Sequence, residues 1–217
     1  MLYREVAMDL ASKETQTDRR AASKDAEPVA QDAARASNPT FLEALLADAR
    51  VAAAFRGERP ESPSRFNGVL QAVRLMMVSD AFFAQAAYRL KARMQALGIP
   101  VLPWIAHRVA MMSAQVSISD AAVLHPGVFI PHGQVVIQGI VVVHPGAVIH
   151  PWTTIGLIGA GVVGPTIGPR ASVGTGAKVL GPISVGANAR VGANAVVLND
   201  VPPNTTVVGM PAKVVVD

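Results

Sequence analysis

The stretch Ile167–Val197, IGPRASVGTGAKVLGPISVGANARVGANAVV, places a branched aliphatic residue at every sixth position: Ile167, Val173, Val179, Val185, Val191 and Val197. In IGPRAS, VGTGAK, VGANAR and VGANAV the next residue is glycine. A period of six fits neither the alternation of an ordinary strand nor the turn of an α-helix. It is the mark of a hexapeptide repeat, in which three hexads close one triangular coil of a parallel β-helix and each anchor points into a stacked aliphatic core. The glycine after the anchor is expected to supply the backbone conformation of the corner at low steric cost. Coils would then stack at the strand spacing of about 4.8 Å.

Towards the amino terminus the beat continues through Ile118, Leu124, Ile130, Ile137, Val143, Ile149 and Ile155. Two irregularities interrupt it. Inside Val128–Gly139, VFIPHGQVVIQG, seven residues separate Ile130 from Ile137, and His132 with Gly133 sits at that slip. Between Ile155 and Ile167, IGLIGAGVVGPT spends twelve residues and is expected to protrude as a Gly-rich loop. Interruptions of a solenoid map to loops, often on the working side. The slip is expected to bulge the wall locally and lift His132 out of the lattice.

Upstream of about residue 115 the pattern changes to helical spacing. TFLEALLADARVAAAF (40–55) has helical apolar spacing after a Thr placed to cap it, and RGERPESPSRFNG reads as a linker. VLQAVRLMMVSDAFFAQAAYRLKARMQALG holds one or two helices, with Phe82, Phe83, Ala86, Ala87, Leu90, Met94 and Leu97 on one face and Gly98 and Pro100 at the end. A short helix around Trp104–Met112 follows. The expected organisation is a disordered leader (1–39), a helical domain (40–114) without a visible catalytic constellation, and a β-helix domain with a C-terminal tail (115–217).

Composition narrows the functions. The 217 residues carry a formal charge of +4 and a pI near 9.9, but the charges are scattered singles. With aromatics at 5% and no basic stretch interleaved with them, no nucleic-acid partner is expected. The absence of cysteine excludes disulfides, Fe–S clusters and thiol catalysis, and suits a reducing compartment. The amino terminus mixes both charges and lacks the layout of a secretory signal. The longest apolar run, VLPWIAHRVAMM (101–112), is far shorter than the roughly 20 residues that span a bilayer. A cytoplasmic protein, with membrane contact at most peripheral, is expected.

Two segments carry a resemblance. DAFFAQAAYRL (80–90) and GTGAKVLGPISVGANARVGANAVVLNDVPPNTTVVGMPAKVV (174–215) are similar to segments of the serine acetyltransferase family of hexapeptide-repeat acyltransferases, as is the HG step at the slip. The resemblance spans roughly residues 75–216. It implies an all-β left-handed parallel β-helix with an N-terminal α-helical domain. It further implies acetyl-CoA as acyl donor, a small-molecule hydroxyl acceptor, a ternary complex without a covalent enzyme intermediate, and a homotrimer or hexamer with sites between neighbouring β-helices.

Under that resemblance His132 takes the position of the general base. A neutral alcohol attacks a thioester too slowly unaided, and an imidazole that accepts its proton as attack proceeds contributes roughly 10²–10⁴-fold. Backbone N–H groups of a Gly-rich segment would serve the thioester oxygen. Where the family has an Asp that orients the base, this chain has Ser117, with Asp120 close by in sequence. Pro131 replaces the acidic residue before the histidine, Gly164 falls where the family has a second histidine, and RPESPSRFNG offers no clear Asp for an amino acid's ammonium. For CoA the resemblance implies Gly156 at the start of the Gly-rich loop and Gly174, Thr175 and Gly176 along the pantetheine groove. Lys178, Arg190 and Lys213 are basic residues placed to meet phosphates.

The acceptor remains open between L-serine and a hydroxyl of a sugar, polysaccharide or natural product. A second reading is a degenerate scaffold that binds a partner enzyme through its C-terminal tail. A zinc anhydrase is the third, but the histidine spacing gives no convincing ligand set, and no metal is expected. His125 and His144, about one coil apart, are expected to stack as a structural ladder. His150 falls on the face that carries His132, and His107 belongs to a helix as a core or interface residue.

Overall fold

The aliphatic beat winds the chain from Val116 to Val214 into three sheets, the strands passing from face to face, with the first coil touching the third face only through the Phe129–Val148 bridge. The first face stacks β1 (Val116–Ile118), β3 (Val135–Ile137), β6 (Thr154–Gly156), β9 (Lys178–Leu180) and β12 (Val196–Val197). The second stacks β2 (Val123–Leu124), β4 (Ile140–Val143), β7 (Val163–Ile167) and β10 (Ser184–Val185). The third stacks β5 (Val148–Ile149), β8 (Ser172–Val173), β11 (Arg190–Val191) and β13 (Thr206–Gly209), which folds back antiparallel on β14 (Ala212–Val214). The other ladders are parallel, so the prism is the parallel β-helix that the hexads predict, of the left-handed kind that the resemblance implies. The protein is described here by a computed structural model over residues 40–58 and 64–215. The expected leader and the centre of the expected linker lie outside the described residues.

Each anchor from Ile118 to Val197 is at most 3% exposed. Two positions earlier, Ala147, Ala171, Ala177, Ala189 and Ala195 are fully buried beside them. Small and branched residues thus alternate around the interior, which fills the prism at the density of a protein core. Register shows how the irregularities are absorbed. Regular neighbours such as Val173 and Val191 pair 18 residues apart (191 − 173). Across the slip Ile118 pairs with Ile137, 19 apart, and across the Gly-rich loop Ile155 pairs with Val179, 24 apart. The additions fall at the corners except for one residue, which forms a bulge in the β4–β7 ladder between Ile140 and Val142, and the anchors Val143 and Ile167 still pair.

The glycines after the anchors have a different role from the one expected. A Cβ on Gly168 would lie 2.7 Å from the Val185 carbonyl oxygen, and one on Gly174 2.7 Å from that of Val191. They are close-approach positions, where the next coil's backbone leaves no room for a side chain. Positive φ falls two residues further on, at Gly127, Gly146 and Gly176 and also at Trp152 (64°), Arg170 (55°), Asn188 (56°) and Asn194 (56°). Asparagine tolerates this region because its short side chain hydrogen-bonds locally. Along one corner Arg170 Nε donates to Asn188 Oδ1 and Asn188 Nδ2 donates to Asn204 Oδ1, each at 2.8 Å. On the same side His125 stacks on His144, 5.1 Å between centroids and 10° between planes, the ladder the spacing implied.

Among the described residues four helices precede the prism: α1 (Phe41–Phe55), α2 (Arg65–Val78), α3 (Asp80–Ala96) and α4 (Leu102–Ala114). Arg65–Gly68, read from sequence as linker, forms the first turn of α2. Ser79 divides α2 from α3, and its Oγ accepts the Phe82 N–H at 3.3 Å. On α3 the expected apolar face is only partly buried: Phe82, Ala86 and Ala87 are inside, whereas Leu97 is exposed. The opposing polar side is the one that goes under. Gln85, Tyr88, Arg89 and Lys91 are all buried because α3 lies across the open end of the β-helix.

A solenoid's first coil has no coil above it, so its backbone groups need other partners. Gln85 Nε2 donates to Val128 O at 2.9 Å, Tyr88 Oη to Ala122 O at 2.9 Å, and Lys91 Nζ to Ile118 O at 2.5 Å. Arg89 donates to the carbonyls of Leu124 and His125 and, through Nε, to Asp48 Oδ2 at 2.9 Å. Asp48 Oδ1 in turn accepts the Gly127 N–H at 2.8 Å, so α1 joins the same cap. Burial pushes the Asp48 carboxyl up, against the pull of Arg89.

Replacing Arg89 with Met leaves that carboxylate buried without its partner, and a loss of about 3–5 kcal/mol is expected in urea unfolding. The double variant Asp48→Leu/Arg89→Met should stay destabilised, because the Gly127, Leu124 and His125 backbone groups lose partners at about 1 kcal/mol each. Full recovery in the double variant would show that the backbone contacts contribute nothing.

Burial, then His144, then Arg89 lower the pKa of His125. Its folded value therefore lies below the unfolded value of about 6.5. The stability it contributes is present above that pH and lost as pH falls through the lowered value. His107 is shifted the same way, chiefly by burial. Urea midpoints should therefore drop between about pH 7.5 and about pH 5, and drop less in His125→Asn. An unchanged difference in that variant would remove His125 from the acid response.

Candidate functional site

The slip is explained by what lies next to it. Helix α4 ends at Ala114, and Gln115 turns the chain with a left-handed backbone (φ 54°) into β1. The Ala114 carbonyl then accepts the Gln134 N–H at 2.8 Å. Gly133 packs so close that a Cβ there would stand 1.8 Å from the same oxygen. The seventh residue of the hexad carries the backbone around this helix end, and Gln134 completes the step with φ 58°. His132, immediately before the contact, is left exposed at the corner.

It borders a cleft of about 320 Å³. The walls are Pro131–Gln134 on the prism side, Ser113 and Ala114 from the end of α4, Val78–Ala81 from the α2–α3 junction, and Arg56 after α1. One chain therefore builds the cleft, between its helices and the first coil. Among the described residues His132 makes no hydrogen bond, so its imidazole is available to a bound group.

The candidate orienting residues are elsewhere. Ser117 sits half-buried on β1 opposite Val136, along the face rather than at the corner. Asp120 pairs with Lys91 Nζ at 2.8 Å and lines a separate cavity of about 400 Å³ with Trp104 and His107. The carboxylate that shares the His132 cleft is Asp80, in the first turn of α3. Sequence reading missed Asp80, Arg56 and Ser113. Next to Ser79, Asp80 reads as a helix-start residue, and only packing of α3 on the prism turns it towards His132's cleft.

Below His132 the same corner runs down the prism through His150–Thr153, Gly174–Ala177 and Gly192–Ala195. The Gly176 N–H donates to Pro151 O at 2.9 Å and the Asn194 N–H to Thr175 O at 2.8 Å. Gly174, Thr175 and Gly176 thus lie two coils from His132, about 10 Å along the axis. No side chain larger than threonine stands on that step, and Trp152 lies exposed between it and His132. Lys178 borders the corner, its Nζ donating to Trp152 O at 2.7 Å and Thr154 Oγ1 at 3.1 Å.

The remaining candidates are not at this corner. Gly156 begins the loop at the opposite edge of the first face, Arg190 is exposed on the third face, and Lys213 lies in β14 opposite Val208. Gly164 is buried, and a Cβ there would meet Val141 Cγ2 at 2.6 Å, so a histidine at that position does not fit this packing. Among the described residues no group of three or more His, Asp or Glu side chains could hold a metal ion, and no helix is long and apolar enough to cross a membrane.

The comparisons with known proteins converge. A family profile described as bacterial transferase hexapeptide (six repeats) matches residues 164–199. The chain is 35% identical to a serine acetyltransferase of Synechococcus elongatus over 168 residues, covering 76% of this chain and 67% of that one. It is 35% identical to that of Mycobacterium tuberculosis over 167 residues, covering 75% and 72% respectively. A solved serine acetyltransferase in complex with CoA superimposes with a TM-score of 0.65 at 27% identity, covering 85% of this chain and 73% of that one. The hexad prism, its helical cap and these identities together place the chain in the serine acetyltransferase family, as an acyltransferase.

Proposed function

We propose that the protein transfers an acetyl group from acetyl-CoA to the hydroxyl of a small-molecule acceptor, with L-serine the first candidate and His132 as general base. The observation that carries this reading is the exposed, unbonded imidazole at the register slip, beside a cleft and at the head of a corner of small residues. Acetyl-CoA would lie along that corner, its pantetheine over Gly174–Gly176 and a phosphate near Lys178. Gly156, Arg190 and Lys213 would contribute only from a neighbouring subunit or from the far end of an extended donor. That arrangement fits a homotrimer, or a hexamer of two trimers.

In the reaction the acceptor O–H gives its proton to the His132 imidazole as the oxygen attacks the thioester carbonyl carbon. The carbonyl oxygen takes the developing charge, met by backbone N–H donors. As the tetrahedral centre collapses the C–S bond breaks, and the imidazolium returns its proton to the CoA sulfur. Asp80 is the carboxylate that shares the base's cleft, which neither Ser117 nor Asp120 lines.

A second acceptor class, a sugar, polysaccharide or natural-product hydroxyl, is favoured by a specific observation. Gly164 leaves no room for the family's second histidine, so one of the groups that would hold an amino acid is missing. The exposed tail from Gly209 is the surface through which a partner enzyme would be met if the chain were a scaffold instead.

Thiol release from acetyl-CoA with L-serine, homoserine and amino sugars as acceptors tests the reading. His132→Ala should lower the rate roughly 10²–10⁴-fold. An unchanged rate in that variant removes the base, and failure of the wild type to bind acetyl-CoA in calorimetry removes the donor. Gly133→Ala forces Ala114 away and displaces the imidazole. It should cost about 1–3 kcal/mol in unfolding and reduce kcat more than it raises KM.

A further inference from the structure

The corner below His132 carries one residue that its backbone does not favour. The registers Val136↔Thr154, Thr154↔Lys178 and Lys178↔Val196 bring Gln134, Trp152, Gly176 and Asn194 into one column, two residues before each strand partner. All of them have positive φ, at 58°, 64°, 75° and 56°. Glycine meets that backbone freely and asparagine tolerates it, whereas for a side chain as bulky as tryptophan it is unfavourable. Trp152 is nonetheless 61% exposed, so burial in the core returns little for that cost. Among Pro131–Gln134, His150–Thr153, Gly174–Ala177 and Gly192–Ala195 it is also the largest side chain.

The segment that carries the indole is tied down, and the indole is not. Lys178 Nζ donates to Trp152 O at 2.7 Å, the Gly176 N–H to Pro151 O at 2.9 Å, and Thr153 Oγ1 to His150 O at 2.6 Å. Among the described residues the ring stacks on no other ring, lies under no cation and keeps its Nε1–H unbonded. A broad apolar surface with one donor at its edge is thus presented on a fixed backbone. Its coil is the one between those of His132 and Gly174–Gly176, about 4.8 Å along the axis from each.

An acceptor oxygen hydrogen-bonded to the His132 imidazole attacks the thioester carbon from contact distance, which keeps the sulfur close to His132. A donor that starts there and reaches Gly174–Gly176 crosses the coil of Trp152 with its sulfur, two methylenes and first amide. We propose that the Trp152 indole is the wall on which this mercaptoethylamine arm binds, and that it holds the thioester within reach of the base. The inference rests on the donor course given under the proposed function. The methylenes pack on the ring, the sulfur makes a sulfur–aromatic contact, and the indole N–H is a donor for the amide carbonyl. The unfavourable backbone is then a cost tolerated for the site rather than for the core. A neighbouring subunit is the competing occupant. Gln134, Gly176 and Asn194 offer no apolar surface to continue such a contact, so an interface on this column would rest on a single ring.

Trp152→Asn tests this on a folded protein, because Asn194 already holds the same backbone two coils away. The urea midpoint should be unchanged. KM should rise about tenfold for acetyl-CoA and by the same factor for S-acetylpantetheine, which has the arm and lacks the nucleotide. Trp152→Phe should recover most of the loss. The chain has two tryptophans, so Trp104→Phe leaves Trp152 as the one emitter. S-acetylpantetheine should shift that emission to shorter wavelength as the ring leaves water. The inference is overturned if folded Trp152→Asn turns over both donors as the wild type does, if its loss is confined to acetyl-CoA, or if the emission does not move. It is also overturned if light scattering shows a lowered assembly mass with KM unchanged, which assigns the ring to a second subunit. If Trp152→Asn misfolds, the emission shift decides alone. A wild type that binds no acetyl-CoA removes the donor reading and this inference with it, whereas an inert substitution in an active enzyme removes only the role of Trp152.

Discussion

The bidentate contact of Arg89 with Asp48, buried between the helices and the first coil, is the constraint on which the remainder of the structure depends. A β-helix made of identical hexads has no internal reason to stop, and its outermost coil exposes a row of backbone donors and acceptors. Arg89 is long enough to reach two carbonyls of that row and planar enough to hold a carboxylate at the same time. Asp48 uses its second oxygen on a backbone amide of the same coil. The charge pair is therefore less an isolated ion pair than a bracket that fastens α1 and α3 to the prism. The buried amide of Gln85 and the ammonium of Lys91 extend the bracket along the edge.

Once α3 is fixed in this way, α4 has one place to end, and the geometry of the candidate site follows. The Ala114 carbonyl arrives at the corner where the first coil closes, and the chain there needs one residue more than a hexad. Gly133 and Gln134 accommodate the helix end, and His132 is displaced outward. The helical cap and the position of the proposed base are thus consequences of the same docking. The Asp80 carboxylate reaches the cleft through the same helix that carries Arg89.

The β-helix was legible in sequence because its core repeats at a period that no other element uses, and thirteen anchors all proved to be buried. Its corners were less legible. Glycine after an anchor invites a conformational explanation, yet the actual constraint is the distance to the next coil, a tertiary quantity. The left-handed positions are held by Gly127, Gly146 and Gly176 but also by Trp152, Arg170, Asn188 and Asn194, which a glycine-based rule passes over. On α3 the sequence shows an amphipathic stripe, but Gln85, Arg89 and Lys91 are polar because of what they cap, and that partner lies 27 to 43 residues away. The site divides along the same line. His132 announces itself through a break in a regular pattern, whereas Asp80 and Arg56 stand in ordinary helical contexts and become neighbours of the cleft only by packing.

The 24-residue coil between Ile155 and Val179 separates what the core fixes from what it leaves open. Six residues are added, one of them as a bulge within β7, and the anchors on both sides still fall into column. Length is therefore accommodated near a vertex without a compensating change in the interior. The stacking of the prism therefore places no demand on the chemistry of that loop, whose side chains are set by what the edge meets rather than by the core.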